Sequence, residues 1–143
     1  MRVSTRFPIA VHALVLIATF SDKLKMTSDV IAGSTGCNAV SIRNILGTLK
    51  KAGIVSIAPG TGGAALQREP KDINLWQIYT VIEKTSADDI FKFHPNSSDV
   101  CPVGKNMYSL LSRHCEEIVD AMEKTMSKTS LQQLLDEMNI GVI

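Results

Sequence analysis

MTSDVIAGSTGCNAVSIRNILGTLKKAGIVSIAPGTGGAALQREP, residues Met26 to Pro70, holds two helical patterns, a glycine turn between them and a glycine-rich hairpin behind them. Thr27 is placed to cap a first short helix, its hydroxyl accepting from the free N–H of Asp29 or Val30. That helix is predicted through residues 28–32, stopping in Gly33-Ser34-Thr35-Gly36. Gly36 suits a left-handed turn, and Asn38 offers a second cap. From there an amphipathic helix runs from Ala39 to Ala52 and can end at Gly53. Two helices at this spacing make a helix-turn-helix. Ile54 to Ile57 then has strand character, Ala58 to Gly63 is a flexible turn and Ala64 to Arg68 can return, which adds a wing.

The second helix has two opposed faces. At about 100° per residue, Ile42, Ile45, Leu46 and Leu49 form one buried stripe, and Val40, Arg43, Asn44, Gly47 and Lys51 fall opposite. The outward row lacks carboxylates. It offers an apolar tip for a thymine methyl, an Arg for guanine and an Asn for adenine. Gly47 permits a close approach of backbone, and Lys50 and Lys51 sit where phosphates would pass. The predicted duplex-contacting set is therefore Thr27, Ser28, Asn38, Ala39, Val40, Arg43, Asn44, Gly47, Lys50 and Lys51, with Gly60, Gly62, Gly63 and Arg68 from the wing. The competing reading is a plain solvated face on a helical hairpin, beside a hairpin without contacts. No Gly-Lys-Ser/Thr follows the glycines, so the loop does not read as a nucleotide cradle.

The 143 residues suit one core with a helical appendage. Net charge is only +1, yet residues 1–71 hold nine Lys/Arg against three Asp/Glu, and residues 72–143 hold six against eleven. A basic half joined to an acidic one points to a polyanion partner on one side, with affinity that falls as salt rises. The longest apolar run, Ile9 to Phe20, contains His12 and is shorter than the roughly 20 residues of a membrane span. It reads as a buried helix, and with no signal-peptide pattern at the N-terminus a cytoplasmic protein is expected. Three cysteines without a secretory signal argue against a disulfide framework.

In chain order, Ser4 is the expected cap of the first helix, with Pro8 in its first turn and Ile9, Ala13, Leu14, Ile17 and Ala18 burying it. After the wing, Pro70 closes the hairpin, and Asn74 with Gln77 forms a capping box opening a helix through Ile78, Tyr79, Val81 and Ile82. Trp76 is read as an aromatic packing under the wing. Residues 85–101, with His94-Pro95-Asn96-Ser97-Ser98-Asp99, read as a linker. From Pro102 or Val103 to Met126, the residues Met107, Leu111, Cys115, Ile118 and Met122 repeat at steps of four and three, a coiled-coil-like seam for a second copy of the chain. Packing of that seam on its own domain is the alternative. Thr129 or Ser130 caps a last helix bearing Leu131, Leu134, Leu135 and Met138, expected to fold back on the long one, with Asn139 to Ile143 as a tail. The expected parts are 1–84, a winged helix-turn-helix domain; 85–101, a linker; and 102–143, a helical dimerisation region. The fold class is mainly α with one small β-hairpin.

Met1-Arg2-Val3-Ser4-Thr5-Arg6, the helix pair, Leu49-Lys50-Lys51-Ala52-Gly53-Ile54-Val55, Gly62-Gly63 and Ile73 together resemble the Rrf-two family of bacterial winged-helix repressors, over nearly the whole chain. The resemblance implies a homodimer with crossed long helices, each subunit placing a recognition helix in a major groove with its wing alongside. Two departures stand out. Where the family's wing carries Arg-Gly and a later Tyr, this chain has Ala58, Pro59 and Ala64. Members with an iron–sulfur cluster hold three cysteines together before the long helix, whereas that loop here supplies only Cys101, with Cys115 inside the helix and Cys37 in the duplex-reading turn. The resemblance is to the cluster-free branch, with Cys101-Pro102-Val103-Gly104, and no cofactor is expected.

Cys101 precedes a proline favoured at a helix start, so its thiolate would face a helix N-terminus; a redox or electrophile sensor is one reading and an inert cap residue the other. His94, Cys101, His114 and Cys115 lack the short spacing of zinc or haem ligands, so no metal site is expected. Neither a nucleophile elbow nor His-Glu-x-x-His occurs, so no enzyme is expected. The sequence thus points to a sequence-specific regulator of transcription, a repressor on double-stranded DNA acting as a homodimer, responsive to a thiol, small-molecule or partner-protein signal. The alternative is a protein-interaction module of the same fold that has lost tight DNA binding.

Overall fold

The computed structural model describes residues 4–60, 62–83 and 87–138. Met1 to Val3, Thr61, Thr85 and the tail from Asn139 lie outside the described residues. The chain folds as α1 (Arg6–Phe20), α2 (Ser28–Thr35), α3 (Ala39–Lys51), β1 (Val55–Ile57), β2 (Ala64–Leu66), a 3-10 turn (Pro70–Asp72), α4 (Leu75–Glu83), α5 (Ala87–Ile90), α6 (Pro102–Ser127) and α7 (Leu131–Met138). The mainly helical class with one antiparallel hairpin is borne out: Val55 faces Leu66, Ser56 faces Ala65 and Ile57 faces Ala64.

Local hydrogen bonds place most boundaries where the residue types put them. Thr27 Oγ1 accepts from Val30 N at 3.3 Å, and Asn38 Oδ1 from Ser41 N at 2.8 Å. Asn74 and Gln77 exchange both bonds of the capping box at 2.9 Å each. Gly36 and Gly53 take positive φ of 74° and 75°. Two helix ends depart from expectation. α2 continues through Gly33 and Ser34 to Thr35, whose hydroxyl donates back to Ile31 O at 3.0 Å. α1 has Thr5 rather than Ser4 at its N-cap; Ser4 Oγ instead accepts from Arg6 N and donates to Glu83 Oε1 at 2.7 Å, joining α1 to the end of α4.

One core runs through the helices: Leu14 and Ile17 of α1, Ile31 of α2, Ile42, Ile45 and Leu49 of α3, and Ile78 and Ile82 of α4 are fully buried with Met26, Ile54 and Ile73. The predicted α3 stripe is the buried one. Trp76 stacks on Tyr79 at 5.6 Å, and Tyr79 meets the Phe7 ring edge-on at 5.8 Å, so this aromatic group ties α4 to α1 rather than lying under the wing.

The second half brings three corrections. A short helix, α5, interrupts the expected linker. α7 does not fold back on α6. Leu131 N donates to Ile73 O at 2.7 Å, Leu75 N donates to Thr129 O at 3.0 Å, and Leu131 is fully buried in the common core, so α7 docks on α1 and the 3-10 turn. The proposed α6 seam also splits. Cys115 is buried with Val119, and Met122 with Met126 borders Phe7, Pro8 and Tyr79, whereas Leu111 and Ile118 stay 43% and 53% exposed. The helix therefore has two apolar rows, an inner one on its own domain and an outer one of Val103, Met107, Leu110, Leu111 and Ile118.

Candidate nucleic-acid interface

The outward row of α3 is uncovered: Val40 is 61% exposed, and Arg43, Asn44, Lys50 and Lys51 are all exposed. Arg43 stands at the meeting of two hollows. On one side Asn44, Gly47 and Lys51 share a shallow groove with the Gly36–Asn38 turn and with Thr5 and Arg6 at the start of α1. On the other side Arg43 borders a notch closed by Thr27 and Ser28 at the start of α2 and by Gly60 and Gly63 of the hairpin. A helix start offering free N–H groups, a cationic helix face and a hairpin edge thus converge on one surface, which suits a phosphate backbone crossing α2 while α3 enters a groove.

Several predicted contacts have other duties. The Asn38 side-chain oxygen is taken by its cap bond, and Ala39 is half-buried. Arg68 Nη2 donates to Ala52 O at 2.9 Å, satisfying a carbonyl at the end of α3. Gly63, at φ 83°, is a close-approach position: an added Cβ would lie 2.7 Å from Met26 N. There Ala64 N donates to Met26 O at 2.9 Å and seats the hairpin against the entry to α2. At Gly62 a Cβ would collide with Ala58. Sequence reasoning missed Arg6, Ser41 and Thr48 along the groove. Arg6 counts in the positive charge of the first half, yet only the packing of α1 brings it beside α3.

The family model described as iron-dependent transcriptional regulator, Rrf2, matches residues 3–137. The chain belongs to the Rrf2 family. This Rrf2 chain is 32% identical over 136 residues to the "Putative HTH-type transcriptional regulator YwnA" of Bacillus subtilis strain 168, covering 95% of this chain and 98% of that one. A transcriptional regulator from Lactobacillus plantarum, described as putative, superposes with a TM-score of 0.79 at 25% identity, over 95% of this chain and 91% of its own. The Bacillus subtilis global cysteine regulator CymR shares the fold, with a TM-score of 0.70 at 20% identity, over 95% and 97%. This Rrf2 protein is accordingly a transcriptional regulator with a DNA-binding fold, in a family of regulators rather than enzymes.

The iron in the family's description makes the cysteine positions matter. Cys101 is exposed at the N-cap of α6 and Cys115 is buried fourteen residues later in the same helix, about 21 Å along its axis at 1.5 Å per residue. Cys37 is half-buried before α3. Among the described residues no three His, Cys, Asp or Glu side chains gather as a metal-holding group. The three thiols of this Rrf2 chain, as placed, do not fit a three-cysteine cluster. Cys101 has its own environment: at the start of α6 the backbone N–H groups of Gly104 and then Val103 favour the thiolate and lower its pKa, against an opposing effect of burial. Ser98 Oγ holds the loop before it, accepting from Val100 N at 3.3 Å and Cys101 N at 3.2 Å. No described helix is long and apolar enough to cross a membrane.

Proposed function

We propose that this chain is a repressor that binds a roughly palindromic double-stranded operator as a homodimer and answers to a thiol-directed signal without an iron–sulfur cluster. The observation that carries the reading is the uncovered row Val40, Arg43 and Asn44 on α3, flanked by the start of α2 and the hairpin. Arg43 would read guanine and Asn44 adenine from the major groove, while Thr27, Ser28, Lys50 and Lys51 hold phosphates. Such a target places the protein's work in the cytoplasm.

Pairing is supported by the outer row of α6. Leu110, Leu111 and Ile118 expose apolar side chains along one side of a 26-residue helix, a stripe that a second copy would cover. Two α3 helices related by the dyad would need to meet successive major grooves about 34 Å apart. Cys101 supplies the signal site. With peroxide, its thiolate sulfur attacks one oxygen, the O–O bond breaks, hydroxide leaves and a sulfenic acid remains at the start of α6.

The test is binding to duplexes enriched from a random pool, followed by anisotropy across a salt series. Affinity for the enriched duplex should exceed that for random duplex and fall steeply with log salt, because each neutralised phosphate releases counterions. Absence of duplex binding at low salt would end this reading and favour a protein partner for the acidic half.

A further inference from the structure

The positive charge of the first half is unevenly placed around α3. Residues 52–67, which hold the hairpin, contain no Lys, Arg, Asp or Glu. Arg68, the first cation after them, donates from Nη2 to Ala52 O at 2.9 Å and so is turned to the end of α3. A hairpin without charge meets a duplex through backbone groups and short side chains, and it displaces few counterions. On that side the hairpin is a weak grip for a polyanion.

On the other side of α3 the balance differs. Arg6, Arg43 and Lys51 line the groove between the start of α1 and α3, and no carboxylate lines it. Nor do the residues before Ser4 bring one, since Met1, Arg2 and Val3 include a cation and no acid. All three lining cations are exposed, and the ion pair among the described residues joins His114 to Glu117 on α6, so none of the three is neutralised there by a carboxylate. The first turn of α3 also holds no acidic residue, so its helix dipole adds to the same sign.

Helical spacing sets the direction of Arg6. Phe7 and Pro8 turn to Tyr79, Met122 and Met126, whereas Arg6 and Ile9, three positions apart, turn to α3. Asn44, Gly47 and Lys51 present the matching side of α3, again at steps of three and four. Lys51 therefore stands on the recognition helix and Arg6 across the groove from it, outside the row of Arg43 and Asn44. With those two at base edges, the groove faces the phosphates that flank them.

We propose that the groove between α1 and α3 clamps the phosphate backbone on the wall of the major groove away from the hairpin, with Arg6 as its outer cation and Lys51 as its inner one. The clamp rests on the operator reading and adds to it a contact from the first residue of α1, which supplies the grip that the uncharged hairpin does not. The experiment uses the full chain and the enriched duplex. Arg6→Gln should weaken enriched and random duplex by the same factor. It should also reduce the slope of log affinity against log salt by about 0.9 for each protomer bound, the counterion release of one phosphate. Arg6→Lys should keep the parent's slope. Single methylphosphonates, each removing one phosphate charge, are then scanned through the half-site. At one position or two adjacent ones the parent should lose affinity and Arg6→Gln lose nothing further, a coupling that a merely structural role in α1 would not give. Arg6→Met is the second neutral variant should Arg6→Gln melt lower. Absence of duplex binding by the parent would remove the operator reading and the clamp with it. Duplex binding by the parent, with neutral variants that match it in slope or a scan without that coupling, would overturn the clamp alone.

Discussion

Arg43 borders both hollows of the α3 surface, and Asn44 lines one of them, so under the proposed reading their side chains would bear on which base pairs are preferred. Replacing either with Ala should reduce discrimination between operator and random duplex by roughly 1 to 3 kcal/mol where the contact is bidentate. Lys50→Ala and Lys51→Ala should weaken both duplexes alike and flatten the salt dependence. Anisotropy on the two duplexes separates these outcomes, and equal losses for all four variants would contradict the assignment. Cys101 is tested by pH. Because the backbone N–H groups of Gly104 and then Val103 favour the thiolate, the pKa is lowered and alkylation should begin at a lower pH than for an ordinary cysteine, dying away as acid restores the neutral thiol. Site-resolved mass analysis of iodoacetamide-treated protein measures that midpoint; one at or above the ordinary value would remove the support for a sensing thiol.

The hairpin, α3 and α2 form a unit whose geometry depends on a few backbone approaches. Gly63 combines positive φ with a Cβ direction that runs into the Met26 backbone, so Gly63→Ala should destabilise by more than about 1 kcal/mol. Gly60 also has positive φ but open space around it, so Gly60→Ala should cost only the conformational strain. Urea unfolding of the pair distinguishes collision from strain, and equal losses would show that the contact with Met26 is unimportant. The capping box at Asn74 illustrates a device readable without coordinates: it needs only two residue types three positions apart, and Asn74→Ala should cost about 1 kcal/mol in the same assay.

For the molecule as a whole, α6 carries one apolar row on its own domain and one that the proposed second copy would cover. Leu111→Glu with Ile118→Glu should leave helix content nearly unchanged, because both side chains are exposed in the single chain, while melting falls only by what the lost association contributed. It should weaken self-association at least about a hundred-fold, given roughly 1.5 to 3 kcal/mol for each buried aliphatic side chain. Sedimentation reads the oligomer directly, and a dimer that persists would move the interface elsewhere. By itself the amino-acid sequence determined what depends on neighbours three or four positions away: the caps at Thr27, Asn38 and Asn74, the left-handed ends at Gly36 and Gly53, and the buried row of α3. It also carried the family likeness, since that rests on the order of such local signals. Only the tertiary structure decided which apolar row of α6 meets its own domain, that α7 returns to the core through Leu131, that Arg68 closes the end of α3, and that Arg6 joins the α3 groove. A helical period is fixed by backbone geometry and is written in the spacing of residues, whereas the direction a helix takes after a linker is set by which distant surfaces it can bury.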